Sequence, residues 1–146
     1  MIIVSNTPFD AGERLNAFME ASQNAGAIAS FIGRVRGEGG DTKSLYLESY
    51  ADVTEQGIED ATKRAYARWP LTDILIIHRI GTLHAGEEIV LVATASEHRR
   101  AAFEACDFLM DYLKTEAIFW KKEITKSGST WVEPRTQDYT DNKRWS

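Results

Sequence analysis

One cysteine, three histidines and three prolines in 146 residues leave several kinds of chemistry without material. Cys106 has no partner for an internal disulfide, and His78, His84 and His98 lack the spacing of a zinc site. There is no GxxxxGKS/T phosphate loop, no GxGxxG after a strand and no GxSxG turn, so the nucleotide, dinucleotide and serine-hydrolase readings lose their usual support. The longest apolar runs, ILII at 74–77 and IVLVA at 89–93, fall far short of a membrane span, which needs ~20 residues. The start MIIVSNTPFD has neither the basic flank nor the apolar stretch of a secretory leader, so the expected location is the cytoplasm. Positive charge is also scarce. With 17 Lys and Arg against 22 Asp and Glu the net charge is −5, which disfavours nonspecific attachment to nucleic acid or anionic membrane. Any anion bound here must be met by a local cluster of cations.

What is present suits a single folded domain over 1–146, with 43% hydrophobic and 27% charged residues. MIIV reads as a first strand, and residues 9–22 as a helix with Leu15, Phe18 and Met19 at helical spacing. GAIASFIGRVRG (26–37) reads as a strand that places Arg34 and Arg36 on one face, followed by a Gly-rich loop and a strand at 44–50, together a hairpin. Asp52 with Glu55 forms a reciprocal cap for a helix that Pro70 ends, its apolar face being Val53, Ile58, Ala61, Ala65 and Trp69. The runs 73–81 and 88–96 read as central strands buried on both faces. Ser96 is then the expected N-cap of the longest helix, and AIFWKKEITK with TWVEPR forms a closing hairpin. Residues 136–146 are polar and read as a loose tail.

Three basic segments are candidates for chemistry. His98, Arg99 and Arg100 of SEHRRAAF lie in the first turn of a helix, the wrong end for cations unless an anion joins them. The arginines of GRVRG fit the same anion or simply keep an exposed strand soluble. Lys114 closes a helix, where a cation is expected for structural reasons alone. Lys121 and Lys122 are neighbours on a strand and must point to opposite faces, so that only one can share a pocket with Lys114. Apolar neighbours such as Phe119 and Trp120, plus a second cation, are the means by which a lysine pKa is lowered. A lysine snorkelling beside an aromatic ring has the same sequence, and both readings stay open.

The ordered set HRIG, SEHRRAAF, DYLKT, FWKKE and WVEPR resembles the large, catalytic subunit family of molybdopterin synthase, called MoaE. The resemblance runs over nearly the whole chain. It implies an α+β fold, an α/β hammerhead with an additional antiparallel β subdomain, and a homodimer. Two ubiquitin-like sulfur-carrier subunits join it, and each inserts a C-terminal Gly-Gly thiocarboxylate. The implied reaction is a sulfurtransferase step: two sulfurs pass to cyclic pyranopterin monophosphate and form the dithiolene of molybdopterin, without metal or dissociable cofactor. By motif, Lys114 and Lys121 take the places of the catalytic lysines. Arg34, Val35, Arg36, His98, Arg99 and Arg135 take those of substrate-binding residues, and Lys122 is given no role. The loop at 37–43 is shorter than in some members, which leaves any loop contact with substrate open.

Overall fold

The near-continuous apolar runs at 74–77 and 89–93 can be satisfied only by burial on both faces, and the architecture grows from that. The structure, a computed structural model, describes residues 1–36, 42–125 and 128–146. In chain order the elements are β1 (Ile2–Ser5), α1 (Ala11–Ala21), β2 (Ala27–Arg34), β3 (Thr42–Ser49), α2 (Ala51–Arg68) and β4 (Leu71–Arg79). There follow β5 (Gly81–His84), β6 (Glu88–Ser96), α3 (Arg99–Thr115), β7 (Phe119–Thr125), β8 (Gly128–Val132), α4 (Thr136–Asn142) and a 3-10 turn over Lys143–Trp145. The class is α+β.

The larger sheet has the order β1-β4-β6-β2, with β1 parallel to β4 and the other pairs antiparallel. Strand alternation divides its side chains cleanly. Ile74, Ile76 and Val92 face Ile58 and Ala61 of α2 and Ala105 and Leu109 of α3, whereas Leu75, Ile77, Leu91 and Ala93 face Ala11 and Phe18 of α1. At Gly81, whose φ of +87° suits glycine, the chain leaves this sheet and enters a second one. That sheet, β5-β3-β7-β8, is antiparallel throughout and closes over Val35, Leu45, Leu47 and Leu83. It is the added β subdomain.

Several local expectations give way to tertiary packing. Strands β2 and β3 form no hairpin with each other, because β2 pairs with β6 and β3 pairs with β5 and β7. Residues 37–41 of the Gly-rich loop between them, and any substrate contact from them, lie outside the described residues. Strand β5 was concealed in a segment too short and polar to signal itself. Ser96 ends β6 and donates its hydroxyl to Pro70 O at 2.9 Å, so the N-cap of α3 falls to His98. Helix α2 starts earlier than the Asp52 cap predicts: Thr54 Oγ1 accepts from Tyr50 N–H at 2.7 Å and donates to Ile118 O at 2.6 Å. Met19 and Val53, read as apolar-face residues, are exposed.

The C-terminal segment, expected to be loose, is helical and clasped to α3. Arg144 bridges Asp107 at 3.1 Å and Asp111 at 2.7 Å, and Trp145 Nε1 donates to Asp111 at 2.6 Å. The Trp145 ring meets Trp69 and Phe108 edge-on at 5.6 and 5.7 Å. No composition rule signals this clasp, because a carboxylate on one element and an indole some thirty residues later meet only in the fold. Asp111→Ala should remove both bonds and cost about 1–3 kcal/mol, since the indole N–H loses its acceptor. Urea unfolding measures that loss, and trypsin should then cut faster after Lys143 and Arg144.

Candidate functional site

Lys114 and Lys121 are brought together by the way α3 stops. Glu116 N–H and Ala117 N–H both return to Tyr112 O, at 2.8 and 2.9 Å, and Thr115 Oγ1 donates to Asp111 O at 2.7 Å. This turn reverses the chain into β7, and the Thr54 hydroxyl holds Ile118 O as β7 begins. Alternation along β7 then puts Phe119 and Lys121 on the inner face, with Trp120 and Lys122 on the outer. Lys122 Nζ sits 4.7 Å from the centre of the Trp131 ring, a cation–π contact away from Lys121, as alternation predicts. On the inner face the Phe119 ring stacks on His78 from the end of β4, with centroids 4.1 Å apart and planes 18° from parallel.

The electrostatics of this corner are set by burial and by like charge. Lys121 is half-buried, and its pKa is held below the ordinary 10.5 by loss of water and then by Lys114. Glu123 and Asp138 oppose that shift, and Arg36 adds to it. His78 is 7% exposed, and burial pushes its pKa down to about 4. A hydrogen bond to Arg79 O works against that fall, and the charges of Lys114 and Lys121 assist it. Lys121 therefore lies within electrostatic reach of Lys114 and Arg36, and His78 within reach of both lysines. A cleft of about 610 Å³ lined by Glu48, Trp120, Trp131 and Glu133 also touches Phe119 and Lys121. Such a corner can hold an extended anionic chain end and present to it a lysine readier than usual to release its proton.

The remaining sequence candidates are distributed unevenly. Arg34 lies at the end of β2, and its guanidinium donates to Gly86 O from Nε and Nη2, at 3.2 and 3.1 Å. Because β2 stops there, strand alternation does not govern Arg36, whose charge bears on Lys121. Val35 turns into the small core at 3% exposure, and its backbone is used by Glu87 O and Gly86 N. Its contribution is to fix the arginines on either side. Arg135 is exposed and pairs with Asp138 at 3.8 Å, while Asp138 accepts from Arg135 N–H at 2.9 Å. Asp138, whose charge bears on Lys121, puts this end of α4 on that lysine's side.

His98 and Arg99 stand apart. They open α3, whose first turn holds no acidic residue, and Lys114 closes it. A helix of 17 residues is about 25 Å long. Within one chain they cannot share a pocket with the lysines. Arg99 and Arg100 are exposed and, among the described residues, make no ion pair; Glu104, a candidate partner, accepts from Trp69 Nε1 at 3.0 Å instead. Sequence reasoning missed His78 and Asp138. Scattered histidines point only away from a metal site, and nothing local shows that β4 and β7 meet. Among the described residues no group of three or more His, Cys, Asp and Glu is placed to hold a metal ion, and no helix is long and apolar enough to cross a membrane.

The family described as MoaE protein matches residues 4–116. The chain is 46% identical over 145 residues to a molybdopterin synthase catalytic subunit of Caulobacter vibrioides, covering 99% of this chain and 97% of that one. It is 44% identical over 146 residues to the subunit of the same name from Escherichia coli, with the same coverage. Among solved structures, it is similar to a molybdopterin biosynthesis MoaE protein from Burkholderia ambifaria, with a TM-score of 0.84 and 41% identity over 99% of this chain and 97% of that one. A molybdopterin synthase from Staphylococcus aureus superposes with a TM-score of 0.77 at 30% identity, over 90% of this chain and 94% of the other.

The buried histidine makes stability depend on acidity. His78 takes up its proton only near pH 4 in the fold but near 6.5 in the unfolded chain, so its contribution is full above pH 6.5 and is lost as pH falls through 4. The difference amounts to about 3 kcal/mol. Urea unfolding of wild type and His78→Phe at pH 7 and pH 4 should show the variant losing less stability by roughly that amount.

Proposed function

The chain belongs to the MoaE family, and from that membership we infer that it is the catalytic subunit of a molybdopterin synthase, an enzyme of molybdenum cofactor biosynthesis working as a cytoplasmic sulfurtransferase. Its substrate is cyclic pyranopterin monophosphate, and its sulfur donor is the C-terminal thiocarboxylate of a ubiquitin-like partner. Each transfer forms a C–S bond on the pterin side chain as a C–O bond there breaks and its oxygen leaves, and water then cleaves the acyl–sulfur bond, returning the partner's tail as a carboxylate. The observation that carries this reading is the convergence of half-buried Lys121 with Lys114 and Arg36, in a chain of net charge −5.

Each group has a distinct part. The Gly-Gly tail, having no side chains, is narrow enough to run along Phe119 to the corner where Lys121 lies beside Lys114, and its thiocarboxylate meets the positive charge there. Lys114 stabilises charge on the tail's terminal carbonyl as sulfur leaves. Lys121, more readily deprotonated than an ordinary lysine, moves a proton on the pterin side. Arg36 and Arg135 hold phosphate from this chain, and His98 and Arg99 hold it from the second copy in a homodimer, because the length of α3 separates them from their own lysines. Phe31 and Ile32 on edge strand β2 and Phe103 on α3 are exposed apolar surface suited to that second copy. With a small subunit at each end the assembly is a heterotetramer.

A single-turnover assay with thiocarboxylated partner tests the assignment. Lys114→Ala and Lys121→Ala should each slow molybdopterin formation by about 10²-fold or more, and Lys122→Ala should stay within about threefold. Near-normal product formation by Lys114→Ala would sink the lysine role. A scaffold that only recognises the tail would bind carboxylate and thiocarboxylate partners equally and make no dithiolene.

A further inference from the structure

The side chain of His78 has no part in the chemistry so far, yet it sits where the two sheets and the two lysines converge. Its Nδ1 lies 2.8 Å from Arg79 O. A carbonyl only accepts, so Nδ1 carries the proton and the neutral ring is left with Nε2 as a bare acceptor. The ring is 7% exposed and lies flat against Phe119, two residues before Lys121 on the same face of β7. The cations whose charges bear on it are Lys114, at the end of α3, and Lys121. A protonated imidazole here would push both ammonium groups away; a neutral one with a free lone pair attracts them.

We propose that His78, held as the neutral Nδ1–H tautomer by Arg79 O and stacked on Phe119, is a positioning residue for the lysine pair, offering Nε2 as the acceptor that orients an ammonium toward the bound tail. This rests on the synthase reading of the site and deepens it. Phe119 serves as the other half of the device: the stack ties the start of β7 to β4, so that the lysine-bearing strand cannot move independently of the larger sheet. The ring acts on charges that already face several others: Lys121 feels Lys114 from α3, Glu123 from its own strand, Asp138 from α4 and Arg36 beyond β2. Removing the acceptor tilts that balance against the charged amine.

The test pairs His78→Phe, which keeps a stacked ring without an acceptor, with His78→Gln, whose amide oxygen restores one. In nitrogen NMR of the wild-type protein, His78 should stay neutral with Nδ1 protonated from pH 5 to pH 8. His78→Phe should melt close to wild type at pH 7.5 and bind the partner's tail normally. Its single-turnover rate should fall by about tenfold to a hundredfold, with the lysine limb of its pH profile moved to lower pH, and His78→Gln should recover part of that rate. An Nε2-protonated tautomer, a wild-type rate and pH profile in His78→Phe, or losses in both variants that merely track a lower melting temperature would each overturn the proposal. Lys114→Ala in the same assay separates the two readings. If it is inactive while His78→Phe is fully active, only the role of His78 falls; if Lys114→Ala is itself active, the lysine site falls with it.

Discussion

Burial of β4 and β6 on both faces is the constraint from which the rest of the molecule follows. Two strands with apolar side chains on each surface demand a helical layer on each surface, and α2 with α3 covers one while α1 covers the other. Once Leu109 and Ala105 are seated against Ile74 and Ile76, the rotation of α3 about its axis is fixed, and with it the direction of its last turn. Lys114 is therefore aimed by packing in the core. The same strand β4 ends in His78, where the stack on Phe119 hands that rigidity to the second sheet.

The second sheet solves a different problem. A lysine on an ordinary surface strand would keep its water and its usual pKa. By closing β7 over Val35, Leu45, Leu47 and Leu83, the fold puts Lys121 at the margin of a small apolar cluster, partly out of water but not wholly buried. Thr54 does much of the local work, since one hydroxyl accepts from the start of α2 and donates to the residue before β7. The turn at Gly81 is what lets a single chain build both sheets, because the backbone there takes a conformation that a side chain would oppose.

Much of this was legible in the sequence. The central strands announced themselves by unbroken β-branched runs, and the separation of Lys121 from Lys122 followed from strand alternation alone. The family resemblance implied the added β subdomain, which the second sheet supplies. What stayed hidden was whatever depends on contacts between distant segments. The C-terminal clasp rests on Asp111 meeting Arg144 and Trp145, and a polar tail with one tryptophan looks loose until its partner is known. Strand partners were likewise misread, because the short connection from β2 to β3 suggests a hairpin while the core pulls the two into different sheets. Caps failed for a related reason: Ser96 and Asp52 have the right side chains, but the hydroxyl of Ser96 is drawn to Pro70 and Thr54 takes over at α2.

An acidic protein that sets Lys114, Lys121 and Arg36 at one corner faces a cost and a return that have the same origin. Lys114, Lys121 and Arg36 repel one another, and partial burial at Lys121 removes the water that would screen them. A distribution of these charges over the surface would be more stable and would leave every lysine ordinary. Concentrating them lowers the energy needed to deprotonate Lys121 and leaves a positive site suited to an anion. Asp138 on α4 and Glu123 on β7 moderate that repulsion without cancelling it. Because α4 is held by the clasp on α3, the counter-charge is fixed by the same helix that presents Lys114. Repulsion and its moderation are thus set by one packed unit, which allows a small acidic chain to hold Lys121 below its ordinary pKa without unfolding around it.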